Sequence, residues 1–459
     1  MSAVGTDAPV LAALDEAPLA GAAPPAVPPN KEVRSTVWRA FWTSRLLVLF
    51  AGVFGTLEIR KAGGSWRFDP SHLTDPYHTY FANLLIGPFV RWDSVWYLVI
   101  AKQGYGLPSA LEPVQARAAF FPLYPMLIHA GAWIVGSDLI AGILISLISF
   151  AIALALLYRL TYMEFGREIA QVTVTLLAFA PFSFYFSAVY TESLFLALTL
   201  GAVYCARTDR WAFAAILAML AAAARNSGVL LIVLLALMFL YGPRASTAPL
   251  SRWALENKPR RWREPRSWLP KYKLTPSAAW LLVIPIGLLA YMGYLWSAGG
   301  TPFLTFNVET FWNHQFVGPF TGTWDGIVAA WDGLRQIHHG VGPPIYFKIE
   351  AGDSLSNAGI NTMWFAFVVL GIIAVIGAFR RLPFAYAVFA LLSLLVPLSS
   401  PVVPAPFSSM PRYELVVFPL FIWGGYYLVK KKMVGIGIGA MATMLGFFTM
   451  MFTTWRFIG

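Results

Sequence analysis

The chain is dominated by a series of apolar segments, each roughly 16 to 25 residues long, separated by polar or basic stretches. Of its 459 residues, 58% are hydrophobic and only 12% are charged. Soluble globular domains carry about twice that fraction of charged residues. A helix of about 20 apolar residues crosses the hydrocarbon core of a bilayer. Because such segments recur, the sequence predicts an all-α polytopic membrane protein.

Eleven of these segments are predicted to span the membrane. They lie at about 36–57, 138–160, 168–189, 191–207, 210–225, 227–242, 276–298, 361–379, 383–400, 412–429 and 433–453. Residues 1–33 are rich in Ala and Pro and lack an apolar period, so they are predicted to be a disordered cytoplasmic tail. Residues 34–459 are predicted to form a single transmembrane domain.

The net charge of +11 is concentrated beside the membrane. Between Arg244 and Lys273 there are nine Lys or Arg and two Asp or Glu, which is typical of a cytoplasmic loop rather than of a nucleic-acid surface. We therefore place the tail and the loop 243–275 on the cytoplasmic side. An even number of crossings must separate them, so residues 119–136 are predicted to lie along or dip into the outer face without crossing.

This topology gives two long outer segments and a C-terminus on the outer side. Residues 58–137 form a first outer loop with surface helices, and residues 299–360 form a second. The second has five acidic residues, two basic residues and three of the six histidines. The unusual polar residues of the chain then gather near one face. They are Asp93, Tyr124, Tyr190, Thr191, Glu192, Arg225, Asn226, Ser408, Ser409 and Arg412.

Asp93 is a carboxylate inside an aromatic patch with Trp92, Trp96 and Tyr97. Aromatic rings stack on the C–H faces of sugars, and a carboxylate can take a proton from an attacking hydroxyl. Asp93 is therefore a candidate general base. The alternative is an interfacial helix with an aromatic belt, in which Asp93 is hydrated or paired with Arg91.

Two arginines are candidate ligands for an anionic head group, and each has a plainer alternative. Arg225 follows a run of four alanines, and Arg412 follows Pro411. Either arginine could instead anchor a helix end at the membrane interface. Glu192 is a candidate pocket residue, with a first-turn position favoured by the helix dipole as its alternative.

Cofactor signals are weak. His338-His339 is a poor metal motif, and the sequence has no Asp-x-Asp pair, no Walker loop and no dinucleotide glycine motif. The single cysteine, Cys205, cannot form an intramolecular disulfide. We therefore expect no metal and no cofactor.

Five blocks of the sequence occur in the same order as in one known family. They are Arg91-Trp92-Asp93 through Gly104-Tyr105, Phe120-Phe121-Pro122-Leu123-Tyr124-Pro125, Ala188 through Phe195, Arg225-Asn226-Ser227-Gly228, and Met410-Pro411-Arg412-Tyr413 with Phe418-Pro419. Together they resemble the PIG-V mannosyltransferase family, which adds a mannose during assembly of glycosylphosphatidylinositol anchors and has bacterial relatives. The chain is interpreted as a bacterial-type member in the plasma membrane. The resemblance covers roughly residues 90–230 and 408–420.

The resemblance implies a GT-C glycosyltransferase fold with its active site at the outer face and a carboxylate in the first loop. It also implies a polyprenyl-phosphate or dolichyl-phosphate mannose donor and no nucleotide. One departure concerns the acceptor, because animal members carry His-Phe shortly after the Trp-Asp pair, where this chain has Val95-Trp96-Tyr97.

The hypothesis is an inverting membrane mannosyltransferase that acts on a lipid, glycan or protein acceptor. Asp93 is the base, Arg225 and Arg412 hold the leaving phosphate, and Tyr124, Tyr190, Glu192 and Asn226 line the pocket with the aromatic patch. One rival is a transporter or flippase of lipid-linked sugars, which needs polar residues deep in several spans. Another is a non-catalytic subunit of a glycosylation complex, which would tolerate Asp93→Asn.

Overall fold

A computed structural model of the chain describes residues 28–59, 73, 79–106, 114–244, 270–298, 300–340, 354–402, 405–456 and 458. Helices α1 to α9 are Asn30–Glu58, Tyr80–Ile86, Ser94–Gln103, Leu123–Val135, Asp138–Phe165, Arg167–Ala178, Glu192–Arg207, Trp211–Ala224 and Leu231–Tyr241. Helices α10 to α17 are Ile286–Ser297, Leu304–Asn307, Pro319–His339, Ser354–Arg381, Phe384–Leu398, Met410–Leu415, Phe418–Lys430 and Val434–Thr453. Short 3-10 helices cover Gly87–Phe89, Val114–Ala119, Ser183–Phe186, Asn226–Leu230, Pro276–Val283 and Val308–Trp312.

Five helices in the described part of the chain are long and apolar enough to cross a membrane. They are Asn30–Glu58, Asp138–Phe165, Pro276–Ser297, Asn357–Arg381 and Val434–Thr453. A sixth candidate is the pair Tyr80–Phe89 and Ser94–Gln103, which is bent by 103°. The predicted all-α membrane architecture is confirmed. The figure of eleven spans stays a prediction, because several of the remaining apolar segments form short or interrupted helices.

The predicted span 168–189 shows why a segment can be apolar and yet not form one long helix. Helix α6 ends at Ala178, three residues before Pro181. Backbone carbonyl groups at this break lack helical partners. The guanidinium of Arg45 in α1 donates hydrogen bonds to two of them, the carbonyl oxygens of Ser183 (2.7 Å) and Ala178 (3.1 Å). A buried arginine thus stabilises the irregular backbone that an apolar core would otherwise penalise.

The bend between α2 and α3 is also held by hydrogen bonds from distant parts of the chain. Trp92 has a left-handed backbone with φ of 55°, and the chain turns there into α3. The side chain of Arg91 donates to the carbonyl oxygen of Thr453 at the end of α17 (3.1 Å). The backbone N–H of Val189 donates to the carbonyl of Phe89 (2.9 Å). The bend therefore lies beside the break after α6, which brings two of the predicted motifs together.

The predicted boundaries have mixed outcomes. Helix α1 begins at Asn30, inside the predicted tail, and residues 1–27 lie outside the described residues. Most of the basic loop, residues 245–269, also lies outside them. Helix α4 has 13 residues and is about 20 Å long, too short for a 30 Å hydrocarbon core. Its length fits the prediction that residues 119–136 do not cross; the side on which α4 lies stays a prediction.

Candidate active site

Asp93 lies at the N-terminal end of α3, directly after the bend. Its side chain does not cap the helix and instead accepts a hydrogen bond from Nη1 of Arg412, with 2.7 Å between Nη1 and Oδ2. The side chain of Asp93 remains 30% exposed. The partner is therefore an arginine 319 residues away rather than the neighbouring Arg91 that the alternative interpretation named.

Tyr190 fixes the backbone on which Asp93 sits. Its hydroxyl donates to the carbonyl oxygen of Arg91 and accepts from the backbone N–H of Asp93, each at 3.1 Å. The ring itself is buried. Tyr190 therefore acts on the candidate base through the backbone, as a positioning residue.

Replacing Tyr190 by Phe is expected to lower kcat about tenfold with little change in KM, because the turn that aims Asp93 loses both bonds. Activity assays at saturating donor and acceptor measure this. The matched control is Tyr204→Phe, at the other end of α7, which should keep wild-type kcat. Equal kcat values for the two variants would contradict the positioning role.

Glu192 begins α7 and joins the two arginines. Its Oε1 lies 2.8 Å from Nη1 of Arg225 and 3.2 Å from Nε of Arg412. Only 1% of its side chain is exposed, and its Oε2 has no hydrogen-bond partner in the structure. Thr191 does not cap the helix through its side chain; its hydroxyl lies 3.3 Å from that of Tyr97. Glu192 is thus a buried ionic centre whose second oxygen is also buried and has no hydrogen-bond partner in the structure.

The two arginines are enclosed by aromatic rings. Arg225 ends α8 in extended backbone, and its guanidinium lies 5.7 Å from the ring centroids of both Phe195 and Tyr413. Arg412 lies 5.6 Å from the ring of Tyr190. Their side chains are 10% and 16% exposed. Both arginines therefore face inward, and neither is a helix-end anchor that reaches out to the interface.

The four charged groups form one chain, in which Asp93, Arg412, Glu192 and Arg225 alternate in sign. We call these four residues the ionic cluster. A guanidinium carries five N–H donors in a planar fork. The carboxylate contacts use only some of these donors on Arg412 and Arg225.

The predicted pocket residues divide into two groups. Trp96 stacks on Phe120 at 5.6 Å and meets Trp312 edge-on at 5.9 Å, so it belongs to an aromatic wall. Tyr124 is fully buried, and its hydroxyl donates to the carbonyl of Gly142 (2.9 Å) and lies 2.7 Å from Ser146 Oγ. Tyr124 therefore packs beneath the site against α5 and does not line it.

The remaining predicted residues flank the cluster. Trp92 packs against Trp455, with 5.7 Å between ring centroids. Tyr97 is buried and meets Tyr124 edge-on at 5.3 Å. Asn226 is half-buried and begins the 3-10 helix directly after Arg225.

Two residues that the sequence did not single out lie close to the cluster. Glu309 Oε2 is 3.8 Å from His314 Nε2, and the other ring nitrogen of His314 lies 2.8 Å from the carbonyl oxygen of Ser400. Burial raises the pKa of Glu309 above its usual value, although the charges of His314 and Arg412 act in the opposite direction. The only sequence signal was their place in an outer segment with several titratable residues, which does not identify them individually.

The residues described contain no group of three or more His, Cys, Asp or Glu side chains that could hold a metal ion. His338 and His339 pack against each other at the end of α12, with 5.1 Å between ring centroids. The expectation of a metal-independent site stays a prediction.

Two solved structures that align with the chain are oligosaccharyltransferases from Archaeoglobus fulgidus. One is tethered to an acceptor peptide. Its sequence is 13% identical to this chain, and the alignment covers 90% of this chain and 55% of that protein, with a TM-score of 0.40. The other is in complex with an inhibitory peptide and a dolichol-phosphate. Its sequence is 14% identical to this chain, and the alignment covers 93% of this chain and 56% of that protein, with a TM-score of 0.43. This chain spans little more than half the length of those proteins.

A comparison with curated protein sequences gives no match. Residues 34–242 match the family model described as mannosyltransferase (PIG-V). This range contains Asp93, Glu192 and Arg225, whose side chains lie in the ionic cluster. The predicted resemblance is confirmed over this range. Over residues 34–242 the chain is similar to the PIG-V mannosyltransferase family.

Proposed function

We propose that the chain transfers mannose from a polyprenyl-phosphate mannose donor to an acceptor hydroxyl at the non-cytoplasmic face of the membrane. The observation that carries this proposal is the ionic cluster, whose members come from four of the motifs that resemble the family. A carboxylate that is partly exposed beside two buried guanidiniums offers a base and an anion site within one cluster.

In this mechanism the acceptor hydroxyl gives its proton to Asp93 and attacks the anomeric carbon of the donor sugar. The bond from that carbon to the phosphate oxygen breaks, and the configuration at the carbon is inverted. Negative charge grows on the leaving phosphate, where Arg412 and Arg225 stabilise it. Arg412 also fixes the position of the Asp93 carboxylate through the 2.7 Å contact between Nη1 and Oδ2.

The surroundings of Asp93 support this use of its carboxylate. One oxygen, Oδ2, is bound by Arg412, and the exposed fraction of the side chain leaves the carboxylate within reach of a ligand. Trp96, in the aromatic wall, offers a surface for the sugar or the acceptor.

The test uses purified protein in lipid, polyprenyl-phosphate-[³H]mannose and total membrane lipid as acceptor. Labelled product that depends on the wild-type chain would establish the enzyme and the donor, and mass spectrometry of the product would name the acceptor. Movement of the labelled donor across sealed vesicles without product would overturn the proposal in favour of a flippase.

Replacing Arg412 by Lys is expected to raise KM for the donor about tenfold, because an ammonium cannot reproduce the planar fork that contacts Asp93 and Glu192 together. Initial rates over a range of donor concentrations measure this. The control is Arg335→Lys on the exposed side of α12, which should leave KM unchanged. An unchanged KM for Arg412→Lys would remove Arg412 from the donor site.

A further inference from the structure

Helix α12, Pro319–His339, carries a seam of exposed apolar side chains. Its members recur at intervals of three and four residues, which places most of them on one face of the helix. They are Phe320, Trp324, Ile327, Trp331, Leu334 and Ile337. Phe320 is 90% exposed, and Trp324 and Trp331 are 64% and 63% exposed. A patch of this size and aromatic content marks a surface that contacts something other than water.

The opposite face of α12 fixes the direction in which the seam points. Gly322, Gly326 and Gly333 lie on the buried face. A Cβ added at Gly322 would come within 2.0 Å of the carbonyl oxygen of Leu398, and one at Gly333 within 2.8 Å of that of Ala358. Because the backbone packs this closely, α12 cannot rotate to bury its seam against the protein.

The place of α12 indicates what covers the seam. The helix packs along α13, which contains the candidate span Asn357–Arg381. Exposed apolar side chains of α13, including Leu370 and Ile373, face outward from that span. The seam runs along α12 from Phe320 to Ile337, and His338 and His339 follow it at the C-terminal end of the helix. This order matches a helix whose apolar face lies in a leaflet and whose last turn reaches the head groups.

We propose that the seam of α12 is embedded in the acyl chains of the membrane leaflet on the side of the ionic cluster. Helix α12 has 21 residues but is not apolar enough to cross the membrane by itself. It is instead an interfacial helix. It holds the preceding segment, which contains Glu309 and His314, at the membrane surface close to Arg412. The proposal is independent of the sugar donor and changes the interpretation of residues 299–360, which the sequence placed wholly outside the membrane.

The test is site-directed spin labelling of the full chain in lipid nanodiscs. Cys205 is the single cysteine and is replaced by Ala to give the parent protein. Labels are introduced through Trp324→Cys and Trp331→Cys. The matched control is His338→Cys, because residue 338 follows Phe320 by five helical turns and so shares its face. Collision rates with oxygen, which concentrates in lipid, are compared with those of a water-soluble nickel chelate.

The proposal predicts frequent oxygen collisions and rare nickel collisions for the label at position 324. The label at position 338 is expected to show the opposite. The label at position 331 is expected to have intermediate collision rates with both reagents. Frequent nickel collisions at 324 and 331 would overturn it, because the seam would then face water. Rare collisions with both reagents would also overturn it, because another protein or a second copy would then cover the seam. Each labelled protein must unfold at the temperature of the parent; Phe320→Cys and Leu334→Cys replace any variant that does not.

Discussion

Replacing Asp93 by Asn is expected to lower the rate of mannose transfer by about 10²–10⁴ while the protein stays folded. The amide has nearly the shape of the carboxylate but cannot take a proton from the acceptor hydroxyl. The fold should tolerate the change, since the side chain is 30% exposed and Arg412 keeps its contact with Glu192. Single-turnover rates with labelled donor, measured on protein with wild-type thermal stability, give the loss.

The control for this variant is Asp138→Asn, which also removes one carboxylate, at the first turn of α5. It should keep the wild-type rate. A loss below about tenfold for Asp93→Asn would exclude Asp93 as the base. In that case Glu192 becomes the next candidate. A non-catalytic subunit would show no loss in the activity of its complex.

Replacing Glu192 by Ala is expected to cost about 3–5 kcal/mol of folding free energy, the largest effect on stability that we predict. The variant leaves two guanidiniums in a buried site with one shared partner removed. Denaturant titration in mixed micelles measures the change. The control, Glu168→Ala on the exposed start of α6, should change stability by less than about 0.5 kcal/mol.

A double-mutant cycle separates the ion pair from other effects of the Glu192 substitution. Glu192→Gln and Arg225→Gln should each destabilise the protein, and the double variant should lose less than the sum of the two, because the pair is already broken after the first change. Strict additivity would show that the 2.8 Å contact between Arg225 and Glu192 contributes nothing to stability.

The residue types in the candidate site could be predicted from the sequence, because charged groups are rare in this chain and stand out. Near one face, the sequence predicts Asp93 in the first outer loop and Glu192, Arg225 and Arg412 at the ends of apolar segments. The structure brings the four into one cluster. Apolar periodicity indicates where segments end, and segment ends gather at the two membrane surfaces.

The pairing within the cluster could not be predicted. Periodicity does not show which segment ends are neighbours, so the sequence offers Arg91, and not Arg412, as a partner for Asp93. It also does not show that an apolar segment is broken, as after Ala178, where Arg45 supplies the missing hydrogen bonds. Tyr124 was placed in the pocket because it lies in a motif, whereas its hydroxyl is bound within the core.

The wide sequence separation of the contacts at Asp93 bears on how the protein is made. Arg91 and Asp93 contact Thr453 and Arg412, which are inserted into the membrane long after α3. Until Arg412 is inserted, the nascent chain lacks the arginine that pairs with the carboxylate of Asp93. In the proposed mechanism catalytic competence is therefore acquired only at the end of biogenesis, and a chain that terminates before residue 412 is expected to be inactive.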